Sequence, residues 1–288
     1  MSETQNRPAN GPGQASRQTT ILHAVLETLG APAIRTLEYI GGLTLLTLKT
    51  GEWVWRSLTV RKVRIGRPAL YSQIVRIGLR STAVIALVSA CIGLILALQM
   101  AAPLSDYGAK NNVATIVAVA VVRELGPLIA AIVLTGFAGA SIAAELGTMV
   151  VGEEIEALEA HALNPVRFLV VPRLLATTLS LVVLSIIGDL VSIGGGYVIG
   201  VTALGIPSGI YYDNTIDVLD LADFMTGLWK AAVFGLIIGC ISCHNGLIVK
   251  GGAAGVGRAT TNTVVHSIIG IIVADLIFTA VFYRFGWT

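Results

Sequence analysis

Residues 81–103 read STAVIALVSACIGLILALQMAAP, and no charged side chain interrupts them. An apolar run of about 20 residues is what a helix needs to cross the hydrocarbon core of a bilayer. Four more such runs follow, at about 112–147, 168–201, 222–249 and 262–284. The second and third exceed the minimum, so they tilt, kink or protrude. The composition agrees: 55% of the residues are apolar and only 12% charged, with a mean hydropathy of +0.81. A soluble domain carries about 25% charged residues. The expected fold class is an all-α integral membrane protein with five transmembrane helices.

An odd number of spans places the termini on opposite sides of the membrane. Lysine and arginine then set the direction. Residues 1–80 carry eleven of them against four acids, while the loop at 202–221 has Asp213, Asp217 and Asp220 and no basic residue. The N-terminus is therefore expected in the cytosol and the C-terminus outside. The first twenty residues are polar, contain Pro, Gly and Ser, and lack the apolar core of a signal peptide; residues 1–25 are expected to form a disordered cytosolic tail. Over about 31–60, Leu37, Ile40, Leu43 and Leu46 recur at helical spacing, and Trp53 and Trp55 stand beside Lys49, Arg56 and Arg61. That pattern predicts an amphipathic helix in the headgroup plane. The alternative is a sixth span, which Arg35, Glu38, Lys49 and Glu52 oppose.

Between spans two and three lies GEEIEALEAHALNP, residues 152–165. The topology makes this a cytosolic loop, yet it carries Glu153, Glu154, Glu156 and Glu159 instead of basic residues. Ile155, Leu158, Ala162 and Leu163 share one helical face, and Asn164-Pro165 ends the helix. An acidic helix is repelled by an anionic leaflet and projects into the cytosol. It is either a solvated connector or a docking helix whose acids meet a basic partner and whose apolar stripe fills a groove.

Span two also contains Arg123 and Glu124, followed by Pro127, which favours a kink. Charges inside a membrane face a bundle interior or a watery cavity. Asp189, Lys230 and Asp275, in spans three, four and five, are the expected buried partners. The set reads either as an ion-pair network or as a polar pocket for an amphipathic ligand, and the two are compatible. Further along span two, Gly136, Ala140 and Ala144 form one ridge of small residues, and Gly139, Ala143 and Gly147 a second. Such ridges let helix backbones approach closely, within one chain or between copies.

Cys240-Ile241-Ser242-Cys243-His244 has the C-x-x-C-H spacing of c-type haem attachment. The topology puts it at the cytosolic end of span four, the wrong side for that chemistry, so a helix-packing face of small residues is expected. A membrane redox protein built on this motif is the rival reading, and no metal site is expected. The glycine run 251–258 has the glycine spacing of a phosphate loop, but Arg258-Ala259 stands where Lys-Ser/Thr is required. No nucleophile motif or zinc motif is present in the sequence. A transport subunit is expected, not an enzyme, with any ATP and Mg on another chain and no cofactor on this one.

Three motifs then fall in order: Arg123-Glu-Leu-Gly-Pro127, the connector E-x-I-x-A-L-x-x-x-x-x-x-P from Glu153 to Pro165, and G-x-G-x-A-T from Gly255 to Thr260. In this they resemble the MlaE (YrbE) family of ABC permeases, over about residues 70–285. The resemblance implies a permease domain over 26–285 and a homodimer in the inner membrane. It implies partners as well: a cytosolic ABC ATPase, a periplasmic MCE-domain protein and in some systems a STAS-domain subunit. No nucleic-acid partner is expected. The cargo implied is lipid, foremost phospholipid moved between inner and outer membranes, with a sterol or another apolar molecule as the alternative. The family's coupling helix matches 152–163, which favours docking. Its lipid cavity, at the dimer interface, makes Arg123, Glu124 and Lys230 the candidates for a polar lining.

Overall fold

The computed structural model describes residues 13–59 and 67–286, and every regular element among them is helical. In chain order these are α1 (Gly13–Thr59), α2 (Pro68–Asp106), α3 (Lys110–Val151), α4 (Glu154–Ala160), α5 (Val166–Thr202), α6 (Ser208–Val218), α7 (Leu221–Leu247) and α8 (Gly252–Phe285). Helices α2, α3, α5, α7 and α8 are long and apolar enough to cross a membrane. They coincide with the five expected spans; four extend further, and α7 ends at Leu247, two residues short of the expected 249. The 42 residues of α3 reach roughly 63 Å at 1.5 Å per residue. That exceeds a bilayer with its headgroups, about 45 Å, so the ends of α3 protrude or the helix tilts.

The chain divides between Leu45 and Leu46. The N-terminal unit is the first part of α1. This helix begins at Gly13, earlier than the 31 expected; residues 1–12 of the anticipated tail lie outside the described residues. Ile34, Leu37 and Ile40 are exposed along it, an apolar surface suited to the headgroup plane.

The second unit is a bundle. Its elements meet where side chains are small. A Cβ on Gly93 of α2 would lie 1.9 Å from the Ser192 carbonyl oxygen of α5, and Ser192 Oγ donates to the Ser89 carbonyl at 2.7 Å. The second small-residue ridge of α3 is used inside the chain: Gly139, Ala143 and Gly147 are buried, Gly139 against Ser242 and Ile238 of α7 and Gly147 against Val249 and Val256. The first ridge faces outward at Gly136, which has open space beside it. In α7, Cys240 and Cys243 are buried in the helix-packing face. Cys240 Sγ accepts from Thr47 Oγ1 at 3.5 Å.

Turn chemistry sets the ends. Gly251 (φ 89°) and Gly252 (φ 65°) take the left-handed conformation that joins α7 to α8, so the glycine run makes a tight bend. Helix α4 is bracketed by Glu153 (φ 58°) and Ala162 (φ 56°), both left-handed. It stops at Ala160, before the Asn164-Pro165 stop expected from sequence. The segment 202–221, expected as a loop, contains α6. Tyr211 anchors it: the ring is buried against Gly200 of α5 and packs edge-on to Tyr197 at 5.5 Å. Burial pushes the Tyr211 hydroxyl up to about 12.

Candidate functional site

The charged residues of α3 lie on a distortion of the helix. Pro127 has no N–H to donate one turn back. Just before it, Val121–Leu125 forms a π-helical turn, closed by Gly126 N–H donating to the Val121 carbonyl. A wider turn reduces the angle between neighbouring side chains, and π-bulges recur at functional sites. Arg123 and Glu124, about 100° apart on a regular helix, here line one cavity. It measures about 240 Å³, with Val119, Ala120, Thr226, Lys230, Thr279 and Phe282 as its other walls.

Two ion sets hold these charges. Arg123 donates from Nε to Asp223 Oδ1 at 2.6 Å, and its Nη2 lies 2.6 Å from the same oxygen. Asp223 is almost fully buried. It also belongs to the N-terminal capping box of α7, its Oδ2 accepting from the Asp220 N–H at 3.3 Å. In the second set, Lys230 Nζ lies 2.5 Å from Glu124 Oε1 and 3.0 Å from Asp275 Oδ1. Lys230 also donates to Thr279 Oγ1 at 3.0 Å, and Thr279 donates to Glu124 Oε1 at 2.8 Å. The Lys230 side chain is 2% exposed, against 36% for Glu124 and 30% for Arg123. Lys230 is thus a buried anchor, and Arg123 and Glu124 are the more open charges of the cavity wall.

Close backbone contact makes this geometry. A Cβ on Gly227 of α7 would sit 2.3 Å from the Val122 carbonyl, so only glycine lets α7 approach the π turn. Asp189 stands apart from the set. It is buried beside Gly126, where a Cβ would lie 1.6 Å from its Oδ1, and it forms no ion pair among the described residues. Sequence reasoning missed Asp223, which lies one residue inside span four. The capping spacing Asp220-x-x-Asp223 was the available signal.

The acidic helix α4 sits at the other end of the bundle. Arg123 lies 28 residues from the α4 end of α3, about 42 Å along the axis. Glu153, Glu154, Glu156 and Glu159 are exposed. Ile155 and Leu158 are half-buried within the chain, while Ala162 and Leu163 are exposed, so only part of the expected stripe is open. Ile155 and Glu159 line a groove of about 520 Å³ together with Lys49, Trp53 and Arg56. The guanidinium of Arg167, at the start of α5, stacks on the Trp53 ring at 5.6 Å.

Comparison with known proteins gives one family. The model of the permease MlaE family matches residues 70–281. The chain belongs to the MlaE permease family. It is 33% identical over 226 residues to the intermembrane phospholipid transport system permease protein MlaE of Haemophilus influenzae, covering 78% of this chain and 87% of that one. It is 40% identical over 223 residues to a probable ABC transporter permease protein of Rickettsia typhi, covering 76% and 86%. The chloroplastic protein TRIGALACTOSYLDIACYLGLYCEROL 1 of Arabidopsis thaliana is 32% identical over 249 residues, covering 86% and 68%. The chain is thus an ABC transporter permease subunit of the MlaE type, and the cavity and α4 are features of that permease.

Proposed function

We propose that this permease moves phospholipid between the inner and outer membranes of a bacterium, as a homodimer energised by a separate ATPase. The observation that carries the reading is the joint placement of Arg123, Glu124 and Lys230 in one cavity with apolar walls. A guanidinium and a carboxylate beside Val119, Ala120 and Phe282 suit an amphipathic headgroup: Arg123 for phosphate, Glu124 for a cationic amine, the apolar residues for acyl chain. At about 240 Å³ the cavity is smaller than the 300–1,000 Å³ of a complete ligand site. A second copy facing it supplies the remainder. Only 11% of the apolar window of α8 is buried, and α8 contributes Thr279 and Phe282 to the cavity wall. This leaves an α8 face for the dimer contact.

The basic excess of residues 1–80 supports a cytosolic α4 end and a periplasmic cavity end. Under that orientation α4 meets the ATPase, with any STAS-domain subunit on the same side. An MCE-domain protein would receive lipid at the α6 end. ATP and Mg reside on the ATPase. Closure of the two ATPase subunits presses on α4, and the stacked Trp53–Arg167 contact joins that region to the start of α5. Narrowing of the dimer interface then displaces the headgroup from Arg123, and Asp223 is positioned to take the guanidinium back. Mass spectrometry of lipid extracted from the purified permease–ATPase complex tests the cargo. Bound phospholipid is the expected result; a sterol or no lipid at all contradicts the reading.

A further inference from the structure

A second charged pocket lies at the α4 end of the bundle, outside everything described so far. Two π-helical turns flank it, Val75–Leu79 in α2 and Thr135–Gly139 in α3, and it measures about 290 Å³. Arg76, Arg80, Phe137, Ser141 and Glu145 are among its walls. Glu145 pairs with Arg76 and lies 3.4 Å from Arg173 Nη2, and Ser141 Oγ donates to it at 3.3 Å. One carboxylate thus answers three guanidiniums, an excess of two positive charges. Arg80 is exposed, and its guanidinium forms no ion pair or hydrogen bond among the described residues. Phe137 is half exposed at the rim.

We propose that this pocket binds the phosphate-bearing headgroup of an anionic phospholipid in the leaflet on the α4 side. Glu145 fixes Arg76 and Arg173 in place, so the surplus charge is preorganised. Arg80 supplies the free donors, in a planar fork that matches a phosphate. Basic pockets between membrane helices at headgroup depth select anionic lipids in this way. The volume suits a headgroup, with the acyl chains running past the half-exposed Phe137 into the membrane. Arg123 and Glu145 are 22 residues apart on α3, about 33 Å along the helix. The pocket is therefore separate from the cavity, in the opposite leaflet. The inference requires only that these helices cross a bilayer, and it stands or falls apart from the proposed cargo.

The test places a benzophenone amino acid at Phe137 of the full-length chain in nanodiscs of phosphatidylethanolamine with a minority of phosphatidylglycerol. Mass spectrometry then identifies the photo-adducts. Phosphatidylglycerol adducts should exceed their share of the bilayer by about fivefold, the weight of one surface basic residue. Arg80→Gln should bring them back to that share, and Arg80→Lys should keep part of the enrichment. Millimolar inorganic phosphate should leave the adducts unchanged. Adducts that follow bilayer composition, or enrichment that survives Arg80→Gln, would overturn the proposal. Displacement by inorganic phosphate would assign the site to a free anion, and adducts to a second copy of the chain would assign it to a dimer contact; each also overturns it. Lipid crosslinking at the Arg123 cavity is unaffected by any of these results.

Discussion

Arg123 and Asp223 meet through one oxygen: both Nε and Nη2 of the guanidinium lie 2.6 Å from Oδ1 of the carboxylate. The second Asp223 oxygen caps α7. One buried carboxylate therefore ties the π turn of α3 to the first turn of α7. Asp223→Ala should cost about 3 kcal/mol, because removing one partner of a buried pair leaves the other uncompensated. The double variant with Arg123→Ala should cost less than the sum of the singles. Thermal unfolding in detergent reads both, and additive losses would show that the pair is not coupled.

Lys230 is held by Glu124 and Asp275 and is almost fully buried. Lys230→Ala should be among the most destabilising changes in the chain, by about 3–5 kcal/mol, since two carboxylates then lose the cation they share. Adding Glu124→Gln and Asp275→Asn should recover a large part of the loss. If the triple variant is no more stable than Lys230→Ala, repulsion between the carboxylates is not the cause.

The five spans were legible in hydropathy, and the acidic helix and the intramembrane charges in charge placement and helical spacing. Which charges meet was not. Arg123 and Glu124 share a cavity because of a π turn, and no periodicity argument assumes one. Asp189 was expected among the partners. It is buried apart from the set, where Gly126 leaves space for its carboxylate. Arg76, Glu145 and Arg173 fell near the span ends, where polar residues attract no notice, yet they form the second charged pocket. Side-chain direction decides these cases, and it depends on helix rotation that packing sets.

Gly227→Ala should lower stability by about 2–3 kcal/mol, since its Cβ would meet the Val122 carbonyl at 2.3 Å and the helices must part. Gly136→Ala meets nothing within 4 Å and should raise stability by about 0.5–1 kcal/mol through helix propensity. Equal effects of the two changes on the melting temperature would show that close approach at Gly227 is not what limits it.

Tyr211 gives an alkaline fall in stability. Its folded-state value is raised to about 12 from an ordinary 10.0. The stability it contributes is fully present below pH 10.0 and is lost as pH rises through about 12. Tyr211→Phe should flatten that part of the stability–pH curve and leave neutral pH unchanged. An identical alkaline fall in the variant would place the cause elsewhere.

Charge reversal of α4 tests the docking claim. Glu153, Glu154, Glu156 and Glu159 are all exposed, so changing them together to Lys should leave the bundle folded and abolish ATPase co-purification. Normal recovery of the ATPase would return α4 to a solvated connector.

The central claim is that Arg123 and Glu124 hold lipid in the cavity between α3, α7 and α8. A photo-reactive residue at Val119, on the cavity wall, should form phospholipid adducts in the wild-type background. With Arg123→Ala and Glu124→Ala together, in protein that elutes and melts as a folded species, adduct yield should fall by about tenfold, the loss of about 1.4 kcal/mol. Unchanged crosslinking in that folded variant would contradict the account and reduce the two residues to structural charges.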